Sequence, residues 1–233
     1  MQIENATVLI TGANRGIGLA FAQAALARGA AKVYAGARDP RRITLPGVEA
    51  VKLDVTRPED VAAVARRCGD ITLLINNAGI ANVGAFLAEG SVESARAHFE
   101  TNVIGPLRLS QAFAPVLAAN GGGAILNVLS IASWVSSPLL AVYGSSKAAA
   151  WSLTNGLRHE LRAQNTQVLA LHVGFVDTDL TQAFAVPKLA PALVVQRAFD
   201  ALEQGALEVL VDERTQRVKQ GLSAEPGVYL EAR

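Results

Sequence analysis

The chain has 233 residues, 51% of them hydrophobic and 18% charged. Such apolar content is opposite to a disordered signature, and the length allows one large domain or two small ones with a full core. With 21 Lys+Arg against 20 Asp+Glu and a single cysteine, Cys68, the composition argues against nucleic acid or an anionic membrane surface as partner and against a disulfide scaffold.

In chain order, residues 6–10 are short, β-branched and followed by glycine, which predicts a buried strand. Gly16–Ala27 is rich in Ala and Leu and stops at Gly29, as a helix does. Strands are expected at 32–35 and 48–53. Thr56-Arg57-Pro58-Glu59 reads as a capping box opening a helix through Arg67. A strand at 71–75, one long helix over 92–117 and a strand at 124–129 follow. The rest reads as a helix at 143–162, a strand at 168–173, a helix at 191–204 and a last strand at 208–211.

Strands that are continuous apolar runs are buried on both faces. Alternating with helices, they predict a parallel sheet with right-handed crossovers. The expected fold is α/β: a doubly wound parallel sheet of about seven strands with helices on both faces. In such sheets ligands bind beyond the carboxyl ends of the strands. Residues 1–5 carry no basic segment, and no charge-free apolar run reaches the length of a membrane span. A secretory leader and a membrane span are therefore not expected, and a reducing cytoplasm suits Cys68.

The first strand runs into Thr11-Gly12-Ala13-Asn14-Arg15-Gly16-Ile17-Gly18. Glycines permit a tight turn and close approach of a phosphate, and the helix start favours an anion. Alone, the turn is also what an ordinary strand-to-helix connection looks like. Three more stretches stand in register with it: Asn76-Asn77-Ala78-Gly79, Ser130, and Tyr143-Gly144-Ser145-Ser146-Lys147. Together they resemble the short-chain dehydrogenase/reductase family, from Thr7 to about Thr178, which implies a single-domain Rossmann fold over residues 1–233.

Tyr143 and Lys147 lie four apart and share one helix face. A free tyrosine, with a pKa of about 10, is a poor base near neutrality, and a neighbouring ammonium lowers that value. The resemblance implies that Tyr143 is the general acid/base and that Lys147 also holds the nicotinamide ribose. Without the other motifs, a packed aromatic and a solvated lysine would explain both. Ser130, thirteen residues before Tyr143, would hydrogen-bond the substrate oxygen, although a serine there can be a plain turn residue. Asn102 interrupts the long helical pattern. The resemblance makes it the holder of a relay water to Lys147; otherwise it is a solvent-facing asparagine.

The resemblance also implies a dinucleotide on Gly12, Asn14, Arg15, Gly16, Ile17 and Gly18. Asn77, Ala78 and Gly79 would pack beside the adenine ribose. Asp54, followed by Val55, would meet the adenine amino group, or else be a carboxylate approaching a helix. Gly174, Val176 and Thr178 match the family's stretch, and the amide and hydroxyl at Val176 and Thr178 would hold the nicotinamide carboxamide. In that stretch Val173 replaces the family's usual proline and puts the loop's stiffness in question. His172 lies in an apolar run and reads as a core histidine. No His/Cys spacing marks a metal site.

NAD-type sites place an acid at the end of the second strand. Here Ala37-Arg38 stands there, and with Arg15 it would suit a 2′-phosphate. NADP(H) is therefore the expected cofactor, with Asp39 keeping NAD open. A substrate lid is expected at 178–191, where Leu180, Phe184, Val186 and Leu189, with Trp134, line the site or simply pack. The tail from Asp212 to Arg233 lacks the glycine-rich ending of acyl-carrier-protein reductases. The expected activity is NADPH-dependent interconversion of a carbonyl compound, a small hydrophobic ketone or aldehyde, and a secondary alcohol, and the resemblance implies a homodimer or homotetramer paired through 92–117 and 143–162. An NAD-dependent alcohol dehydrogenase is the alternative. A nucleotide-sensing interaction protein is a third reading, against which the intact Tyr143 and Lys147 count.

Overall fold

The apolar runs become strands because each can bury both faces. In the computed structural model, which describes residues 1–230, the strands are β1 (Thr7–Thr11), β2 (Lys32–Ala37), β3 (Glu49–Lys52), β4 (Leu73–Asn76), β5 (Gly123–Val128), β6 (Thr166–His172) and β7 (Glu208–Leu210). Their ends fall within one or two residues of the sequence expectation. All neighbours pair in parallel, in the order β3-β2-β1-β4-β5-β6-β7. The chain thus forms a single Rossmann-type domain with helices on both faces of the sheet. The order reverses between β1 and β4, and a crevice opens there at the carboxyl ends. The last tail residues, 231–233, lie outside the described residues.

On one face α1 (Gly16–Ala27) and α6 (Pro191–Glu203) meet, with Phe21 and Phe199 edge to face at 5.3 Å. Leu171, Val194 and Ala198 complete that core without solvent exposure. On the other face α2 (Pro58–Arg67), α4 (Gly105–Ala119) and α5 (Ala141–Glu160) cover the sheet through Val64, Phe113, Leu117 and Leu157. Among the described residues no helix is long and apolar enough to cross a membrane.

Two expectations are corrected. The stretch read as one helix over 92–117 is α3 (Ser91–Phe99), a π-helical turn at Glu100–Ile104, and α4. Pro106 lacks the amide that would continue the α ladder, and a single wide turn absorbs the mismatch. Gly105 is needed at this joint, because a Cβ there would stand 2.9 Å from Val55 Cγ2. The capping box at Thr56 does not form. Its hydroxyl donates backward to Asp54 at 2.7 Å, and the residue before the helix is Arg57, without a side-chain cap. The tail adds a helix not assigned from the sequence, α7 (Glu213–Gln220), capped by Asp212, which accepts from Thr215 N at 2.9 Å.

Candidate active site

The glycine turn is held from both sides. Gly12 takes φ +67°, a left-handed conformation that favours glycine. Gly18 lies under it so closely that a Cβ would come 2.2 Å from the Gly12 oxygen. Asn77 Nδ2 donates to the Thr11 oxygen at 2.9 Å, and the amides of Asn77 and Ala78 donate to Thr11 Oγ1 at 3.0 and 2.9 Å. Thr11, quoted in the sequence motif but given no role there, thus ties the end of β4 to the turn. The first turn of α1 carries no acid and no side-chain cap, so its amides suit an anion.

Beyond the strand ends lies a cleft of about 310 Å³. Every sequence-predicted cofactor residue lines it except Gly18, which supports the turn from below. Of the predicted catalytic residues it brings together Ser130, Tyr143 and Lys147, but not Asn102. Ile80, Thr101, Asp179 and Thr181 also line it without having been singled out.

Ser130 follows β5, and its hydroxyl accepts from Ala132 N at 3.1 Å. Tyr143 stands beside it on the first turn of α5. Burial raises the Tyr143 phenol above its ordinary value, and the Ser130 hydroxyl eases it back in part. Lys147 Nζ donates to the Val128 oxygen at 2.7 Å and sits 5.8 Å from the Tyr143 ring centre. Burial pulls the lysine down to about 8. The lowered tyrosine expected from the ammonium is thus not a property of the protein by itself: burial raises the phenol, and only the Ser130 hydroxyl eases it back.

Asn102 is 2% exposed, not solvent-facing, because the π turn rotates it inward. Its Nδ2 donates to the Ile80 oxygen at 3.0 Å and to Ser146 Oγ at 2.9 Å, while Oδ1 accepts from Ile80 N at 2.9 Å. Ser146 Oγ in turn donates to the Tyr143 oxygen at 2.7 Å. Both Asn102 side-chain donors are therefore spent on holding the loop after β4 against the tyrosine helix. Between Asn76, Asn102 and Lys147 lies a cavity of about 10 Å³, room for one water. His98, fully buried, accepts from Asn82 N at 3.1 Å and faces the Tyr143 ring edge to face at 6.5 Å.

At the rim, Arg15 and Arg38 are both exposed. Arg15 does not converge freely on Arg38; its guanidinium pairs with Asp179 at 2.8 Å. Asp39 is engaged by Arg41 through Nε at 2.9 Å. Burial raises the Asp54 carboxyl, but its bonds from Thr56 and the nearby Arg38 charge outweigh this, so it is lowered overall. Val173 leaves no slack loop: its oxygen accepts from Ile131 N at 3.0 Å, and Gly174 N donates to Asp212 at 3.0 Å. Thr178 Oγ1 donates to the Val176 oxygen at 3.4 Å. Of the lid candidates, Leu180 lines the cleft, whereas Phe184 packs on Phe175 at 5.2 Å and Leu189 bridges to Val176. Trp134 does not line the cleft; it is 8% exposed and stacks on His172. Among the described residues no three His, Cys, Asp or Glu side chains converge as a metal site.

The residues fit a nicotinamide dinucleotide: a left-handed glycine turn, uncapped helix amides, two exposed guanidiniums, and a Ser–Tyr–Lys group with buried serine and lysine and a half-buried tyrosine share one cleft. The comparisons with known proteins agree with this. The family model described as short chain dehydrogenase matches residues 6–187. A short-chain dehydrogenase from Burkholderia cenocepacia J2315, solved in complex with NADP, is 42% identical, with TM-score 0.93 over 97% of this chain and 96% of that one. Galactitol 2-dehydrogenase of Agrobacterium fabrum is 36% identical over 76% of this chain and 73% of its own length. Sorbitol dehydrogenase of Cereibacter sphaeroides is 37% identical over 76% and 73%. The chain belongs to the short-chain dehydrogenase/reductase family.

Proposed function

We propose that the protein is an NADP(H)-dependent oxidoreductase that interconverts a small hydrophobic ketone or aldehyde and the corresponding alcohol. The observation that carries this reading is the grouping of Ser130, Tyr143 and Lys147 in the cleft whose lining also includes Arg15 and Arg38. When bound, the reduced nicotinamide supplies the hydride that adds to the carbonyl carbon. Ser130 orients the carbonyl oxygen and stabilises its developing charge. Tyr143 holds a proton at its hydroxyl, kept there by burial, and gives it to that oxygen. Lys147 supplies the ammonium that lowers the cost of the resulting phenolate. The cavity beside Asn102 and Lys147 gives a water a place from which to return the proton.

Cofactor choice rests on charge. Arg38 ends the β2 connection where an acid would serve NAD. The acid next to it, Asp39, is occupied by Arg41. The relative solved with NADP supports the same reading. Leu180 in the lid, 178–191, favours an apolar substrate, and the sorbitol and galactitol relatives extend the candidates to polyols. In this reading the protein acts in the cytoplasm as a homodimer or homotetramer paired through α4 and α5; light scattering that gives the mass of one chain would refute the assembly. The activity is tested by incubating a panel of ketones, aldehydes and sugar alcohols with NADPH or NADP. Loss of the reduced-nicotinamide absorbance with formation of one alcohol enantiomer is the expected result. Tight NADPH binding with no turnover across the panel would favour a nucleotide sensor instead.

A further inference from the structure

One buried ring outside the cleft touches the catalytic loop. His172 ends β6, has no solvent exposure and does not line the cleft. Its Nδ1 lies 3.3 Å from the main-chain oxygen of Ser130, and its Nε2, buried and without a hydrogen-bond partner, lies 3.4 Å from Glu208 Oε1. The ring stacks on Trp134, with centres 4.0 Å apart and planes 21° from parallel. Glu208 opens β7, and its two oxygens accept from Lys219 Nζ of α7 at 2.8 and 2.9 Å. That ammonium also lies 4.9 Å from the Trp134 ring and 5.6 Å from the Trp151 ring of α5.

Both polar neighbours of the His172 ring are acceptors, one a carbonyl and one a carboxylate. A neutral imidazole carries a single N–H. It can serve Ser130 or Glu208, and the other oxygen then faces a lone pair. Only the ring with two protons donates to both. The Trp134 face and the Glu208 carboxylate favour that cation. The amides on either side of Ser130 are fixed, Leu129 N to the Leu171 oxygen at 2.8 Å and Ile131 N to the Val173 oxygen at 3.0 Å. The Ser130 oxygen shares its peptide unit with Ile131 N, so the Val173 contact holds one edge of that peptide and His172 the other, and the two together set the direction from which the Ser130 side chain departs.

We propose that His172 is a positioning residue for Ser130: its second proton ties the Ser130 main chain to the Glu208–Lys219 pair and so sets where the Ser130 hydroxyl stands in the cleft. The catalytic consequence rests on the reading of Ser130 as the group that orients the substrate oxygen; the tether itself does not. The groups that face the ring are the Ser130 oxygen from the β5 side, Glu208 from β7 and Lys219 from α7, with Arg158 of α5 acting on Glu208. Burial holds His172 below the ordinary histidine value, against the pull of Glu208. The ring accordingly carries one proton at neutrality, and the tether closes as pH falls.

Ser130-Ile131 is the only Ser-Ile pair in the sequence, so carbonyl-13C serine with 15N isoleucine isolates this one peptide by NMR. In wild type, the Ser130 carbonyl and the His172 ring nitrogens should titrate with one shared midpoint on the acid side of the ordinary histidine range. Lys219→Met leaves Glu208 unneutralised and should move that midpoint up by about one pH unit; Glu208→Gln should move it down. The pH inflection of kcat for carbonyl reduction should follow both moves, with KM for NADPH unchanged. His172→Phe keeps a ring on Trp134 and should erase the inflection. The proposal fails if the Ser130 carbonyl ignores the His172 titration. It also fails if His172 keeps one proton down to acid unfolding, or if the kcat inflection stays fixed while the His172 midpoint moves. A protein that reduces no carbonyl would sink the proposed function, while the paired NMR titration would still decide the tether.

Discussion

The interior and the rim of the cleft are built on opposite principles. Inside, Asn102, Ser130 and Lys147 are each buried and engaged by named partners at 2.7–3.1 Å. At the rim, Arg15 and Asp179 retain 58% and 66% side-chain exposure, and Arg38 is exposed as well. A buried group with all its hydrogen bonds made is costly to disturb, whereas an exposed ion pair is worth little and is readily exchanged. In the proposed reading the chemistry lies where buried hydrogen bonds hold the side chains, and the choice of cofactor lies with exposed charges that exchange readily.

Substitutions separate the two regions. Tyr143→Phe removes the proton donor and should lower kcat by about 10²–10⁴-fold, with NADPH affinity, read by fluorescence titration, largely kept. Lys147→Met should also abolish most turnover, yet it should stabilise the fold at neutral pH. The sign follows from burial: the folded lysine titrates at about 8 and the unfolded one at about 10.4, so the unfolded chain holds more protons between these values. Wild-type stability should rise as pH climbs through that window, by on the order of 2–3 kcal/mol, and the variant should lack the rise in urea melts.

Asn102→Ala strands the Ile80 main chain and Ser146. It should cost about 2–4 kcal/mol in urea denaturation, with a fall in kcat as the loop after β4 loosens. At the rim, Arg38→Ala should raise KM for NADPH about tenfold and leave KM for NADH alone, since one charge-assisted contact is lost. Asp179→Asn releases Arg15 and should tighten NADPH by about two- to threefold, without a measurable change in melting temperature.

The interior was the more legible part in the sequence, for a physical reason. Glycine turns, strand runs and the Tyr143–Lys147 spacing are local, and local chemistry dictates them. Long-range pairings left no such mark. The Arg15–Asp179 contact joins residues 164 apart, so the expectation that Arg15 joins Arg38 on a 2′-phosphate had no local signal of this pairing. The π turn at Glu100–Ile104 had one signal, Pro106, that a periodicity reading passes over. The Asp212-Glu213-Arg214-Thr215 start of α7 carried a capping pattern, and the missed helix supplies Lys219 to the Glu208 pair. At Thr56 the reverse occurred: a capping pattern was present, but Asp54 captured the hydroxyl first.

The central claim is most directly tested by initial rates on one reducible carbonyl with NADPH and with NADH, under identical conditions. The two exposed arginines and the occupied Asp39 predict a kcat/KM with NADPH at least about tenfold higher. Equal or faster reduction with NADH would contradict the assignment of cofactor, and no reduction with either would contradict the assignment of the cleft as a carbonyl-reducing site.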